Sequence, residues 1–178
     1  YPTGGYARAK VRSRFALAFI SPSLYKRIMK IPTRSPTHAD IEMSRLAAMG
    51  LELEDIADGD EVELAKLVEL AEDRGRPASH YLAAIPLATE LRVAPSGKLV
   101  VKVCAGTCQR YGALDLLEHL VRRIEGGARC SIAPVACLDR CDQAPACEVH
   151  GEHGRLVLAP ATAAALDEAL AATLGPLA

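Results

Sequence analysis

Two cysteine pairs of equal spacing constrain this chain more than any other feature: Cys104 and Cys108 in CAGTC, and Cys137 and Cys141 in CLDRC. Each pair leaves the end of a short apolar run, KLVVKVC over 98–104 and RCSIAPVAC over 129–137. Runs of that length, rich in β-branched residues, read as buried strands. If the two strands are neighbours, four thiols meet at one edge of a small sheet. The glycine in CAGTC lets the backbone come close to a ligand. Six cysteines in 178 residues are too few for a disulfide scaffold, and with no visible secretory signal they read as reduced thiols gathered for a metal.

Four thiolates from two such loops match the all-cysteine ligand set of an iron–sulfur cluster. A tetrahedral zinc site accepts the same spacing, although zinc ribbons usually set their pairs on tight turns with little core behind them. Unligated or disulfide-linked thiols are the third reading. A thioredoxin-type thiol enzyme is disfavoured, because its motif places two residues between the cysteines and this chain has three. Cys130 is expected in the core, and Cys147 near the metal loop without binding. Arg110 and Arg140 flank candidate ligands in sequence; they are expected to be solvated or to contact a partner rather than to tune a cluster. The five histidines show no ligand spacing.

The rest of the chain supplies the frame. From Thr37 the pattern becomes helical, with Thr37 and Asp40 starting a capping-box-like signal ahead of Ile41, Met43, Leu46 and Ala47. Asp60 is expected to cap a second helix over 61–73, with Leu64, Leu67, Val68 and Ala71 on one face and Gly75 ending it. Residues 78–91 read as a helix interrupted at Pro86, and Pro95-Ser96-Gly97 as a turn. Ala113–Glu125 is amphipathic. Gly151-Glu152-His153-Gly154 between 147–150 and 155–158 predicts a hairpin. Residues 161–174 form a last helix, with Leu166, Ala169, Leu170 and Leu174 inward. Strand, helix, strand, hairpin and helix in this order make an α/β fold of thioredoxin-like kind. The expected organisation is a basic arm over 1–36, a helical region over 37–97 and the cysteine-bearing domain over 98–178.

Charge separates the arm from the body. Residues 1–39 carry eight of the 21 basic side chains and no acidic one, leaving 13 basic against 22 acidic beyond them. The arm reads as a poorly ordered segment, as one that folds onto an acidic partner, or as a retained targeting peptide. A net charge of −1 gives no reason to expect nucleic acid as a partner. The uncharged stretches 15–25 and 156–166 fall well short of the roughly 20 apolar residues of a membrane span. A soluble protein is expected, in the cytoplasm or at the periphery of a membrane complex.

The segments VCAGTCQRYGALDLLEHL and ACLDRCDQAPACEVHGEHGRLV resemble the small thioredoxin-like 2Fe-2S subunit of NADH:quinone oxidoreductases, with related subunits in hydrogenases and formate dehydrogenases. The likeness covers 98–175 well and 61–97 more loosely. It implies a 2Fe-2S cluster on Cys104, Cys108, Cys137 and Cys141, with Cys147 on a non-ligand position. It further implies a non-catalytic electron-transfer subunit in a hetero-oligomer, beside a flavin- or iron–sulfur-containing redox subunit. This chain has no dinucleotide fingerprint of its own. It departs from the family in its first cysteine gap, three residues where four are usual, and in Pro86, which falls where the family keeps a helix continuous.

Overall fold

Leu46, Met49, Gly50 and Leu53 recur at helical spacing and are all buried, which fixes the inward face of helix α1, Met43–Glu54. The computed structural model describes residues 39–152 and 154–174; Thr37 lies outside them. Helix α1 starts at Met43, after Glu42, and so later than a capping signal at Thr37 and Asp40 suggests. The reason is competition: the Asp40 carboxylate is bonded to Arg110 and the Ile41 amide to the side chain of Gln109, so both are committed to tertiary contacts.

The second helix also starts late. Glu61–Val62 form a two-residue strand, β1, and helix α2 spans Leu64–Asp73 with Glu63 at its N-cap. Strand β2, Arg92–Val93, pairs with β1 in parallel. Arg92 draws Asp60 away from the capping role by bonding its carbonyl at 2.9 Å and its carboxylate at 3.2 Å. Leu67 and Ala71 are buried while Leu64 and Val68 are partly so. Gly75, at φ +62, ends the helix, and Arg76 N–H donates to Ala71 O at 2.9 Å.

Helix α3, Ala78–Ala88, runs through Pro86 without a break. Pro86 has no N–H to donate to Leu82 O, so one helical bond is lost, and the helix ends two residues later at Ala88, where Thr89 Oγ1 donates to Ile85 O at 2.8 Å. Ala78, Ser79 and the run Tyr81–Ile85 are buried nearly all round the helix, as befits an element packed against several neighbours.

The main sheet follows. Strands β3 (Leu99–Cys104), β4 (Cys130–Val135), β5 (Cys147–Gly151) and β6 (Gly154–Leu158) lie in the order β4-β3-β5-β6. Strands β3 and β4 are parallel, and the other two pairings antiparallel. A parallel pair needs a crossover; helix α4, Ala113–Glu125, provides it and buries Leu116, Leu117, Leu120 and Val121. Pro134 sits in β4, an edge strand, where the missing donor costs little. Helix α5, Ala163–Leu174, packs on the hairpin through Leu166, Ala169 and Leu170; the Leu174 side chain and His153 lie outside the described residues.

The helices before the sheet share its core. Ser79 N–H at the start of α3 donates to the Glu118 carboxylate of α4 at 3.1 Å. Tyr81, fully buried, bonds Glu52 of α1, and Arg76 reaches the same carboxylate at 3.2 Å. The architecture is thus the α/β, thioredoxin-like arrangement read from the sequence. No helix among the described residues is long and apolar enough to cross a membrane.

Candidate metal centre

Parallel pairing of β3 with β4 sets Cys104 opposite Val135 at the same end of both strands. Each strand then releases its chain into a cysteine loop. After Cys104 the ladder extends by one bond, Ala105 N–H to Val135 O at 2.7 Å, and a short 3-10 turn, Thr107–Tyr111, carries Cys108. Gly112, at φ +99, turns that segment into α4. After Val135 the chain passes Cys137 and Asp139, whose φ of 56 is left-handed, into a second 3-10 turn, Cys141–Gln143.

The two loops touch. A Cβ on Gly106 would stand 2.3 Å from Ala136 O, so this glycine serves the approach of one cysteine loop to the other. The Cys104 sulfur donates to Ala136 O at 3.6 Å when protonated and receives the backbone N–H of Leu138, with Gly106 and Cys108 as further donors. A third segment closes the site from behind: Cys104 N–H donates to Ala146 O at 3.1 Å, and the Ala146 amide bonds the Cys108 sulfur.

Within each pair the thiols are bonded to one another. Cys137 and Cys141 have sulfurs 3.8 Å apart, and Asp139 N–H donates to Cys137 at 3.3 Å. Cys104 and Cys108 share a thiol hydrogen bond, which holds the pKa of Cys104 down to about 6 and pushes that of Cys108 well above the ordinary thiol range. One proton leaves that pair easily; a bound cation is needed to hold the second sulfur as thiolate. Bonding to Cys137 likewise pushes Cys141 up. The pairs differ in depth: Cys104 and Cys108 are buried, Cys137 and Cys141 exposed.

The donor set fits ligation of a metal by paired thiolates. Tetrahedral coordination with metal–sulfur bonds of about 2.3 Å puts two ligands of one metal about 3.8 Å apart, which is the Cys137–Cys141 separation. Among the described residues no three or more ligating side chains sit close enough to hold a single ion.

The remaining residues fall as follows. Cys130 opens β4 and Cys147 opens β5, both fully buried. Burial raises the pKa of both thiols, that of Cys147 to about 12. Arg110 is engaged with Asp40, and Arg140 stands exposed at the start of the second turn. The motif reading missed the groups that shape the site: the amides of Leu138 and Ala146, which no side-chain pattern reveals, and Gln109, a polar residue that the fold buries to 3 % exposure.

No curated protein matches the chain. A family model does, over residues 62–172, with the description Thioredoxin-like [2Fe-2S] ferredoxin. The match takes in α2 and α3 as well as the sheet and covers more than half of the sequence. With this fold, these paired thiols and that match, the chain belongs to the thioredoxin-like 2Fe-2S ferredoxin family, iron–sulfur electron carriers whose cofactor is a 2Fe-2S cluster.

Proposed function

We propose that Cys104, Cys108, Cys137 and Cys141 hold the cluster and that the chain serves as an electron-transfer subunit within a larger NAD(P)H-, hydrogen- or formate-linked oxidoreductase. The observation that carries this reading is the contact between the two loops, in which the Cys104 sulfur lies between Ala136 O and Leu138 N–H of the second loop. When bound, the cluster supplies reversible one-electron chemistry. The chain's own part is to position and tune. Backbone N–H groups of Gly106, Leu138 and Cys108 aim at the Cys104 sulfur, and such donors favour added negative charge and raise a reduction potential. The buried inner pair excludes water, while the exposed outer pair brings the centre to the surface where a flavin or iron–sulfur centre of a neighbouring subunit can approach.

The test is direct. The full chain, purified without oxygen, is expected to be reddish-brown with near-equal iron and sulfide. Cys104→Ser, Cys108→Ser, Cys137→Ser and Cys141→Ser should each lower iron content, whereas Cys130→Ala and Cys147→Ala should retain it. Retention of a normal cluster by any of the four serine variants would refute that ligand assignment. Native co-purification decides the subunit role: a redox-active partner supports it, and a chain that always runs alone points to a free-standing ferredoxin.

A further inference from the structure

Gln109 follows a candidate ligand directly, and both ends of its buried side chain are used. Its Nε2 donates to Ala105 O at 2.7 Å, across the mouth of the CAGTC loop. Its Oε1 accepts the Ile41 amide at 3.0 Å, from the segment that leads into α1. Its own N–H donates to Gly106 O at 3.0 Å. Beside it, Arg110 is bonded to Asp40. Two consecutive residues of the cysteine loop are therefore tied to two consecutive residues, 40 and 41, at the head of the helical region.

We infer that Gln109 is a positioning residue for the cluster: it closes the CAGTC turn so that Cys104 and Cys108 present their sulfurs together, and it fastens that turn to the chain entering α1. The inference rests on the ligand assignment above. The loop lies beyond the end of its strand, where backbone bonds (Ala105 N–H to Val135 O, Gln109 N–H to Gly106 O) hold it only in part. The side-chain amide at 109 adds a second closing bond, to residue 105, beside the backbone bond from 109 to 106. An amide is needed at both ends, because one partner is an acceptor and the other a donor. The fold thereby links the segment before α1 to the geometry of the inner sulfur pair.

Cluster lability reads this role separately from overall stability. Gln109→Leu removes both bonds at similar volume, and Gln109→Glu keeps an acceptor for Ile41 while setting an oxygen against Ala105 O. Both variants, in the full chain, should release iron to a chelator at least about tenfold faster than the parent at temperatures well below unfolding, since each loses at least one buried hydrogen bond. They should also shift the reduction potential measured by EPR-monitored titration. Leu67→Ala, a fully buried change in α2, should lower the unfolding temperature and leave both readouts at the parental value. Parental iron release and potential in Gln109→Leu would overturn the inference, as would equal acceleration by Leu67→Ala. A parent chain that carries no 2Fe-2S spectrum sinks the proposed function instead, so the two failures are distinguishable.

Discussion

Replacing Gly106 by alanine tests the meeting of the two cysteine loops at its tightest point. The added carbon would lie 2.3 Å from Ala136 O, whereas real Cβ contacts stay beyond 3.0 Å. One loop must therefore retreat by at least the difference between these two distances, 0.7 Å. The retreat acts on the Ala105 N–H bond to Val135 O, now 2.7 Å, and on the Leu138 amide at the Cys104 sulfur. Overpacking of this kind costs about 1–3 kcal/mol, and weakening one buried hydrogen bond adds about 1 kcal/mol. A total of about 2–4 kcal/mol corresponds to a fall in unfolding temperature of about 5–12 °C for a domain of this size. Thermal unfolding followed by circular dichroism measures that fall, and iron per chain after purification measures the loss of the site. A Gly106→Ala protein with parental iron content and an unfolding temperature within about 1 °C of the parent, a smaller change than about 1 kcal/mol produces, would contradict the packing argument.

Other consequences are open to simpler measurement. Leu117→Ala, at a fully buried position of α4, should cost about 2–5 kcal/mol in urea unfolding. Tyr81→Phe strips Glu52 and Arg76 of a buried partner and should cost about 1–2 kcal/mol by the same assay. Burial first, and then Arg45, lower the pKa of His80 from its ordinary 6.5, with Glu118 opposing and Arg76 reinforcing. The unfolded chain therefore binds the proton more readily, so this histidine's share of stability is present above pH 6.5 and is lost as pH falls through the depressed value; His80→Gln should flatten the urea midpoint between about pH 7.5 and 5.

Much of this architecture is written in local pattern. The alternation-free apolar run ending at Cys104 and the amphipathic face from Ala113 to Glu125 are long enough to declare a strand and a helix, and both form with nearly the expected bounds. The glycines at 151 and 154 likewise specify the hairpin, pairing with each other at its end. Strands β1 and β2 are not legible because two residues carry no periodicity; they exist because Glu61–Val62 finds Arg92–Val93 some thirty residues later. That pairing takes Asp60 from its helix, just as Arg110 takes Asp40 from the first one. Pro86 misleads because the loss of one backbone bond is outweighed by the packing of a helix buried from Tyr81 to Ile85, which no local pattern around the proline shows. At the site, the cysteine spacing reveals the thiols, but the loop's second function for Gly106 and the clamp at Gln109 depend on contacts across the fold that no short window contains.

The crossover that joins β3 to β4 has a consequence for how the molecule resists unfolding. With the ligands as proposed, a bound cofactor ties residue 108 to residue 137 and acts as a cross-link around the whole of α4. Closing a loop of about 30 residues removes disorder from the unfolded chain worth about 3–4 kcal/mol. A prosthetic group held in this way doubles as a staple, so its loss disarms the electron carrier and also loosens the sheet that carries it.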